Sequence, residues 1–140
     1  MNLVRSVSLF VFCFWIAVMQ VSAKYSHLSL SSREILKSKC ADCHSSKAVM
    51  PFYAKLPFVK DLVKKDVEDG LLDFDMEKDL NDIPDKDLDE AKLIHLETSI
   101  ADNTMPPLQY AVIHWDKLLA KDEKIVLLKW INSVYKLKGI

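Results

Sequence analysis

Glycine is almost absent from this 140-residue chain, which contains only Gly70 and Gly139. An all-β protein with many tight turns depends on glycine, because the turns that join its strands require positive φ angles. Internal repeats and low-complexity tracts are missing from the sequence as well. The apolar residues recur mostly at helical spacing, so the sequence predicts a single domain of the all-α class.

The chain also has no large excess of positive or negative charge. The formal net charge is −1, with basic and acidic residues in nearly equal number. A nucleic-acid-binding domain needs a concentrated basic surface, which this composition does not predict, so we expect no nucleic-acid partner. The sequence also contains no recognisable set of catalytic acids and bases, and we expect a protein that is not an enzyme.

Charged residues are missing from one long run near the N-terminus. Arg5 is followed by 18 uncharged residues, Ser6 to Ala23, which end in small side chains. A basic start, an apolar run and small residues at its end are typical of a cleaved secretory signal. We predict a leader at residues 1–23, a mature domain at 24–140 and a periplasmic location. The alternative is an uncleaved anchor, since a membrane span needs ~20 apolar residues.

Cysteine is too scarce for the disulfide framework of many small exported proteins, because only three are present. Cys13 lies in the apolar run, where we interpret it as a filler residue. Cys40 and Cys43 belong to the stretch KCADCH, in which His44 follows directly. C-x-x-C-H is the attachment signature of c-type haem. Two thiols on one helical turn can form thioethers to the vinyl groups on one porphyrin edge, and the histidine can then bind the iron.

Other interpretations of this stretch stay open. A zinc site would combine Cys40, Cys43 and His44 with His95 or His114, but a second C-x-x-C or H-x-x-H pair is missing from the sequence. A redox dithiol usually lies in a βαβ setting, and no strand pattern surrounds this one. Chance occurrence is the third interpretation. The leader favours haem, because attachment of c-type haem needs an exported chain with reduced thiols.

Apolar residues at steps of three and four predict four helices. The first begins at Ser31, because Ser31 and Glu34 have the spacing of a capping box, and it ends at the cysteine motif. Gly70 is placed as the stop of the second helix. The other three predicted helices and a short helical turn cover residues 58–68, 85–100, 122–137 and 76–80.

The loop before the last helix contains a candidate for the second iron ligand. Two successive prolines stiffen the segment 103–107, in which Met105 precedes Pro106. A fixed loop suits a weak thioether ligand, and a histidine–methionine pair is an established haem ligation. Met105 is therefore the predicted distal ligand. Its rivals are the other methionines of the mature chain and the remaining histidines: Met50, Met76, His27, His95 and His114.

Residues around the motif are expected to support this site. A histidine ligand usually donates its second N–H to a carbonyl or carboxylate, and we expect that acceptor near Met50-Pro51 or Lys55–Pro57. The apolar wall around the cofactor is expected to come from aromatic side chains. These are Phe52, Tyr53, Phe58 and Trp130.

KCADCH, the leader, the TMPP loop and the last amphipathic helix resemble a class I cytochrome c. More closely, CADCHSSKAVMPFYAKLPFV and MPPLQYAVIHWDKLLAKDEKIVLLKWI are similar to the small bacterial haem-binding domain family. The resemblance covers most of residues 34–131 but matches poorly at 71–90. It implies a small helical domain wrapped around one covalent haem c. It also implies thioether bonds at Cys40 and Cys43, His44 as proximal ligand and Met105 as distal ligand.

The sequence supports two functional hypotheses for such a domain. In the first, the protein is a periplasmic one-electron carrier with both axial positions filled, and its partners are redox proteins of the cell envelope. In the second, Met105 is displaceable and the protein is a haem-based sensor that binds a small ligand. The membrane would be contacted only through an uncleaved leader.

Overall fold

The computed structural model describes the backbone of residues 2–140 and the side chains of residue 12 and residues 14–140. Cys13 and much of the predicted leader therefore have side chains outside the described set. The described backbone forms helices and 3₁₀ turns without a strand, and the predicted all-α class is confirmed. In chain order the helices are α1 (Asn2–Lys39), α2 (Val59–Asp73), α3 (Met76–Asp79), α4 (Glu90–Ala101), α5 (Leu108–Ala111) and α6 (Lys121–Lys138). The 3₁₀ turns are Phe52–Lys55, Asp85–Asp87 and Trp115–Lys117.

The core is built where α6 packs against α1 and α4. Helix α6 carries apolar residues at the spacing of one helix face, and that face is fully buried. Its C-terminus is closed by Gly139, whose φ of 79° allows the left-handed cap. The fully buried apolar residues are Leu36, Leu93, Leu127, Trp130, Ile131 and Val134.

Helix α1 corrects the predicted start of the first helix. It runs without interruption through Ser31, so the S-x-x-E spacing does not cap a helix here. Ser32 and Leu36 are buried against the core, whereas the side chains of Phe12, Phe14 and Trp15 are exposed. Packing of the second half of α1 on the domain thus outweighs the local capping preference.

The remaining elements follow the predictions with shifted ends. Gly70 lies inside α2, which continues to Asp73, so its prediction as a helix stop was wrong. Helix α4 begins at Glu90 because Asp89 accepts the cap hydrogen bond from the Lys92 amide, and the predicted start near residue 85 is only a 3₁₀ turn. The predicted turn near 76–80 and the loop at 103–107 are confirmed.

None of the helices in the described part of the chain combines the length and the apolar character that a membrane span requires.

Candidate functional site

The C-x-x-C-H turn continues directly from the end of α1. The Cys40 amide donates to the Leu36 carbonyl at 2.8 Å, and the His44 amide donates to the Cys40 carbonyl at 2.9 Å. The backbone therefore keeps a helical course for one turn beyond α1, with Cys40 and Cys43 three residues apart on it. Both cysteines are free thiols. Burial raises the pKa of Cys40 to about 12 and also raises that of Cys43, so both sulfurs stay protonated near neutral pH.

The orientation of the His44 ring is set by a backbone carbonyl. His44 Nδ1 lies 3.1 Å from the Phe74 carbonyl oxygen. Because a carbonyl only accepts, Nδ1 carries the proton, and the lone pair available for a metal belongs to Nε2. The predicted acceptors near Met50-Pro51 and Lys55–Pro57 were wrong. The acceptor follows α2, in the segment 71–90 that the family resemblance does not cover well.

Helix α2 approaches the motif so closely that only glycine fits without displacement. A Cβ added at Gly70 would lie 3.1 Å from the Cys43 carbonyl oxygen and 3.4 Å from His44 Cε1. The next segment adds a hydrogen bond, since the Met76 amide donates to the His44 carbonyl at 2.8 Å. The backbone of residues 70–76 therefore supports His44 from one side.

One cavity joins the C-x-x-C-H turn to the proline-containing loop at residues 103–107. It encloses about 900 Å³ of space between protein atoms, a volume that includes its opening to solvent. Cys40, Cys43 and His44 line it together with Met105. The structure thus brings together all four predicted site residues, although the loop and the motif are distant in sequence. The apolar lining consists of Leu36, Phe74, Met76, Leu96, Ile100 and Leu119.

The rivals of Met105 lie in different places. Met76 lines the cavity but is almost fully buried in the core. His95 lines the mouth, with its side chain mostly exposed and 3.9 Å from Asp73. His114 is outside the lining, and its Nε2 is 2.6 Å from the Tyr53 hydroxyl. Met50 and His27 are outside it as well.

The four aromatic residues that were predicted to surround the cofactor do not line the cavity. Phe52 and Phe58 are exposed, Tyr53 is engaged with His114, and Trp130 is buried in the core away from the cavity. Leu36 of α1 and Leu96 and Ile100 of α4 line it, and its aromatic residues are Phe74 and Tyr110. Aromatic composition alone does not tell which side of a helix or turn meets a cavity, because that depends on how the elements pack.

Asp42, inside the motif, has partners that the sequence did not suggest. Its Oδ2 accepts a hydrogen bond from the Tyr110 hydroxyl at 2.5 Å and pairs with Lys117 Nζ at 3.0 Å. Burial acts to raise the pKa of Asp42, but these two donors outweigh it and the pKa is lowered. Burial and the bond to Asp42 raise the pKa of Tyr110, so its hydroxyl remains a donor. Asp42 is therefore a carboxylate at neutral pH.

The residues fit a haem better than a zinc ion. Among the described side chains, no group of three or more His, Cys, Asp or Glu is arranged to hold a metal ion. A haem needs an apolar cavity and a histidine with an available nitrogen, and a c-type haem also needs two nearby thiols. His44, Cys40 and Cys43 provide these groups on the wall of one cavity. Gly70 was the missed signal, because a glycine inside a helix of a glycine-poor chain often marks a close backbone approach.

Similarity to known proteins agrees with this fit. The haem-binding domain family matches residues 17–133. The chain is also 30% identical over 93 residues to the cytochrome c peroxidase Ccp of Escherichia coli strain K12. That similarity covers 66% of this chain and 20% of Ccp, so the chain spans about a fifth of the length of this curated relative. No solved structure matches the chain. The chain belongs to the haem-binding domain family and is a haem protein.

Proposed function

We propose that this protein is a mono-haem c-type cytochrome that carries single electrons in the periplasm. The observation that carries the proposal is the cavity, which joins the C-x-x-C-H turn to the Met105 loop. A histidine and a methionine on one apolar cavity suit an iron with both axial positions filled. The resemblance to class I cytochromes c supports the same arrangement.

The site residues have separate roles in this proposal. Cys40 and Cys43 bind the single haem covalently through thioether bonds. His44 provides Nε2 as proximal ligand, with its ring held by the Phe74 carbonyl. Met105 provides its sulfur as distal ligand, and the soft thioether favours the reduced state. When bound, haem supplies one-electron oxidation and reduction at its iron.

Location and partners belong to the same proposal. We infer that residues 1–23 direct export and are removed, leaving 24–140 in the periplasm, with an uncleaved anchor as the alternative. Donor and acceptor would then be redox proteins of the cell envelope. Peroxidase activity is not part of the proposal, because filled axial positions leave no open site for peroxide, and the named relative is about five times longer than its matched part.

A sensor that binds a small ligand at the iron is the second candidate. The observation that favours it is the position of Met105, whose thioether sulfur is carried by a loop on the cavity and not by a helix of the core. A thioether is a weak ligand, which a stronger small ligand can displace. The two candidates differ in whether the sulfur stays bound when a competing ligand is offered.

Carbon monoxide distinguishes the two candidates. We expect the reduced protein to keep its six-coordinate spectrum under carbon monoxide, and the oxidised protein to show the far-red sulfur-to-iron band. Met105→Ala should remove that band and allow carbon monoxide to bind, whereas Met50→Ala, outside the cavity, should change neither. Rapid binding by the unmodified protein would support the sensor. A band that survives Met105→Ala would assign the ligand to another methionine.

A further inference from the structure

We propose that Asp42 and Tyr110 form a latch that holds the Met105 loop against the haem-attachment turn and so keeps Met105 on the iron. Asp42 is one of the two residues between the cysteines, and its Oδ2 accepts the Tyr110 hydroxyl at 2.5 Å. Both residues line the cavity with Met105. This role rests on the proposed His44–Met105 ligation. In this role Asp42 and Tyr110 are positioning residues, because they act on Met105 through the loop that carries it.

The hydrogen bond is the stronger of the two contacts to Asp42. A hydroxyl that donates to a carboxylate makes a charge-assisted bond, about twice as strong as a bond between neutral groups. The Lys117 contact to the same half-exposed carboxylate is longer, at 3.0 Å, and ion pairs of this kind contribute little. Lys117 is also held by the Ser38 carbonyl at 2.9 Å, so it does not depend on Asp42 for its position. Tyr110 is therefore the residue to test.

The chain between Tyr110 and Met105 is short and stiff. Pro106 and Pro107 fix two φ angles, and the Tyr110 amide donates to the Pro107 carbonyl at 3.0 Å. The Tyr110 ring stacks on His114 with 4.3 Å between ring centroids, and His114 is held in turn by Tyr53. Because this segment bends little, a fixed Tyr110 hydroxyl limits how far Met105 can move from the cavity.

A second anchor lies on the far side of the same segment. Lys39, the last residue of α1, donates from Nζ to the Asp116 carbonyl at 2.7 Å and pairs with Glu123 at 3.5 Å. This anchor holds residues that follow the loop, near the 3₁₀ turn Trp115–Lys117. Loss of the latch alone should therefore free the Met105 end while the 3₁₀ turn stays attached to α1.

The chain offers a matched control for the loss of one tyrosine hydroxyl. The Tyr135 hydroxyl donates to Glu97 Oε2 at 2.9 Å, and this bond joins α6 to α4 outside the cavity lining. Tyr110→Phe and Tyr135→Phe each remove one bond between a tyrosine and a carboxylate. A role in stability alone predicts similar behaviour of the two variants at the iron. The latch predicts a change for Tyr110→Phe only.

The experiment compares haem-loaded wild type, Tyr110→Phe and Tyr135→Phe in their reduced and oxidised forms. We expect reduced Tyr110→Phe to lose its six-coordinate spectrum at a carbon monoxide concentration about tenfold below any that affects wild type, from the loss of one charge-assisted bond. Its far-red band should weaken, while Tyr135→Phe should match wild type in both measurements. Asp42→Asn keeps an acceptor for Tyr110 and should lie between wild type and Tyr110→Phe.

The outcomes separate this role from the proposed function. If wild type shows the sulfur-to-iron band and Tyr110→Phe binds carbon monoxide no better than Tyr135→Phe, the latch is overturned and the ligation stands. If wild type itself lacks the band, the ligation fails and the latch fails with it. A band that weakens only in Tyr110→Phe supports both.

Discussion

His44 is held in place by backbone groups of neighbouring residues, not by their side chains. Its Nδ1 proton goes to the Phe74 carbonyl, and its own carbonyl accepts the Met76 amide. A substitution at Phe74 or Met76 keeps both backbone groups in place. Gly70 is different, because any side chain there enters the space that the motif backbone occupies.

Gly70→Ala is therefore expected to lower the stability of the haem-loaded protein. In an open helix interior, glycine to alanine adds about 0.5–1 kcal/mol of stability. Here the new methyl group would lie 3.1 Å from the Cys43 carbonyl oxygen, a backbone atom with little freedom to move. We expect a net loss of about 1 kcal/mol, measured by urea unfolding. A gain in stability would show that α2 does not press on the motif; Glu68→Ala, exposed on the same helix, is the control.

Among the described residues, Asp85 is one of two buried aspartates, the other being Asp75. Its carboxylate accepts hydrogen bonds from the Tyr25 hydroxyl at 2.5 Å and from Trp130 Nε1 at 2.8 Å, and it pairs with Arg33. Burial acts to raise its pKa, but Tyr25, Arg33 and Trp130 together lower it. The group therefore favours the folded state when ionised and connects α1 to α6.

Asp85→Asn should reduce the free energy of unfolding by about 2–3 kcal/mol at pH 7, because it leaves the Arg33 charge unpaired in a half-buried place. A lowered folded-state pKa contributes stability above the ordinary aspartate value of about 3.9 and loses it as the pH falls through the folded value. The difference between wild type and variant should thus be constant from pH 7 to 5 and shrink below pH 4. Asp87→Asn, exposed two residues away, should show no such difference. A gap at pH 3 as large as the gap at pH 7 would contradict this account.

At the scale of elements, local sequence signals and packing disagree most in α1. Ser31 and Glu34 have capping-box spacing, yet the helix passes through both residues. The reason is long-range: α1 continues upstream of Ser31 because Tyr25 bonds to Asp85 and Leu28 packs on the core. By contrast, α6 was predicted within one residue at each end, because its apolar stripe and its glycine cap agree with its packing.

Ser31→Ala tests where the first helix begins. An N-cap serine replaced by alanine costs about 0.5–2 kcal/mol, whereas the same change inside a helix gains a few tenths. Because α1 runs through Ser31, we expect a small gain in the free energy of unfolding. Asp89→Ala, which removes the cap of α4, should show the loss of about 1 kcal/mol that a real cap gives. Similar losses in both variants would restore Ser31 as a helix start.

At the scale of the whole molecule, the cavity is the central feature. It is lined by the end of α1, the residues that follow α2, one face of α4 and the loop at residues 103–107. A protein with so large a space beside its core gains apolar contacts when a large cofactor fills it. The cofactor is therefore a structural part of the domain as well as its chemical group.

The mass of the exported protein tests this arrangement and the leader together. We expect the mass of residues 24–140 plus one haem, and the haem should remain attached after acid extraction because thioether bonds hold it. Cys40→Ala with Cys43→Ala should release the haem on extraction and lower the stability. A chain mass without haem would end the c-type proposal, and a mass that includes residues 1–23 would favour the anchor.

The sequence by itself determined the helical class, the last helix, the stiff loop at 103–107 and the four residues that share the cavity. Each of these follows from short-range chemistry: apolar spacing, proline geometry and the spacing of two thiols and an imidazole. Only the tertiary structure decided the partner of His44, the role of Gly70 and the pairing of Asp42 with Tyr110. These contacts join segments that are far apart in sequence, through backbone atoms or exposed side chains that leave no local pattern.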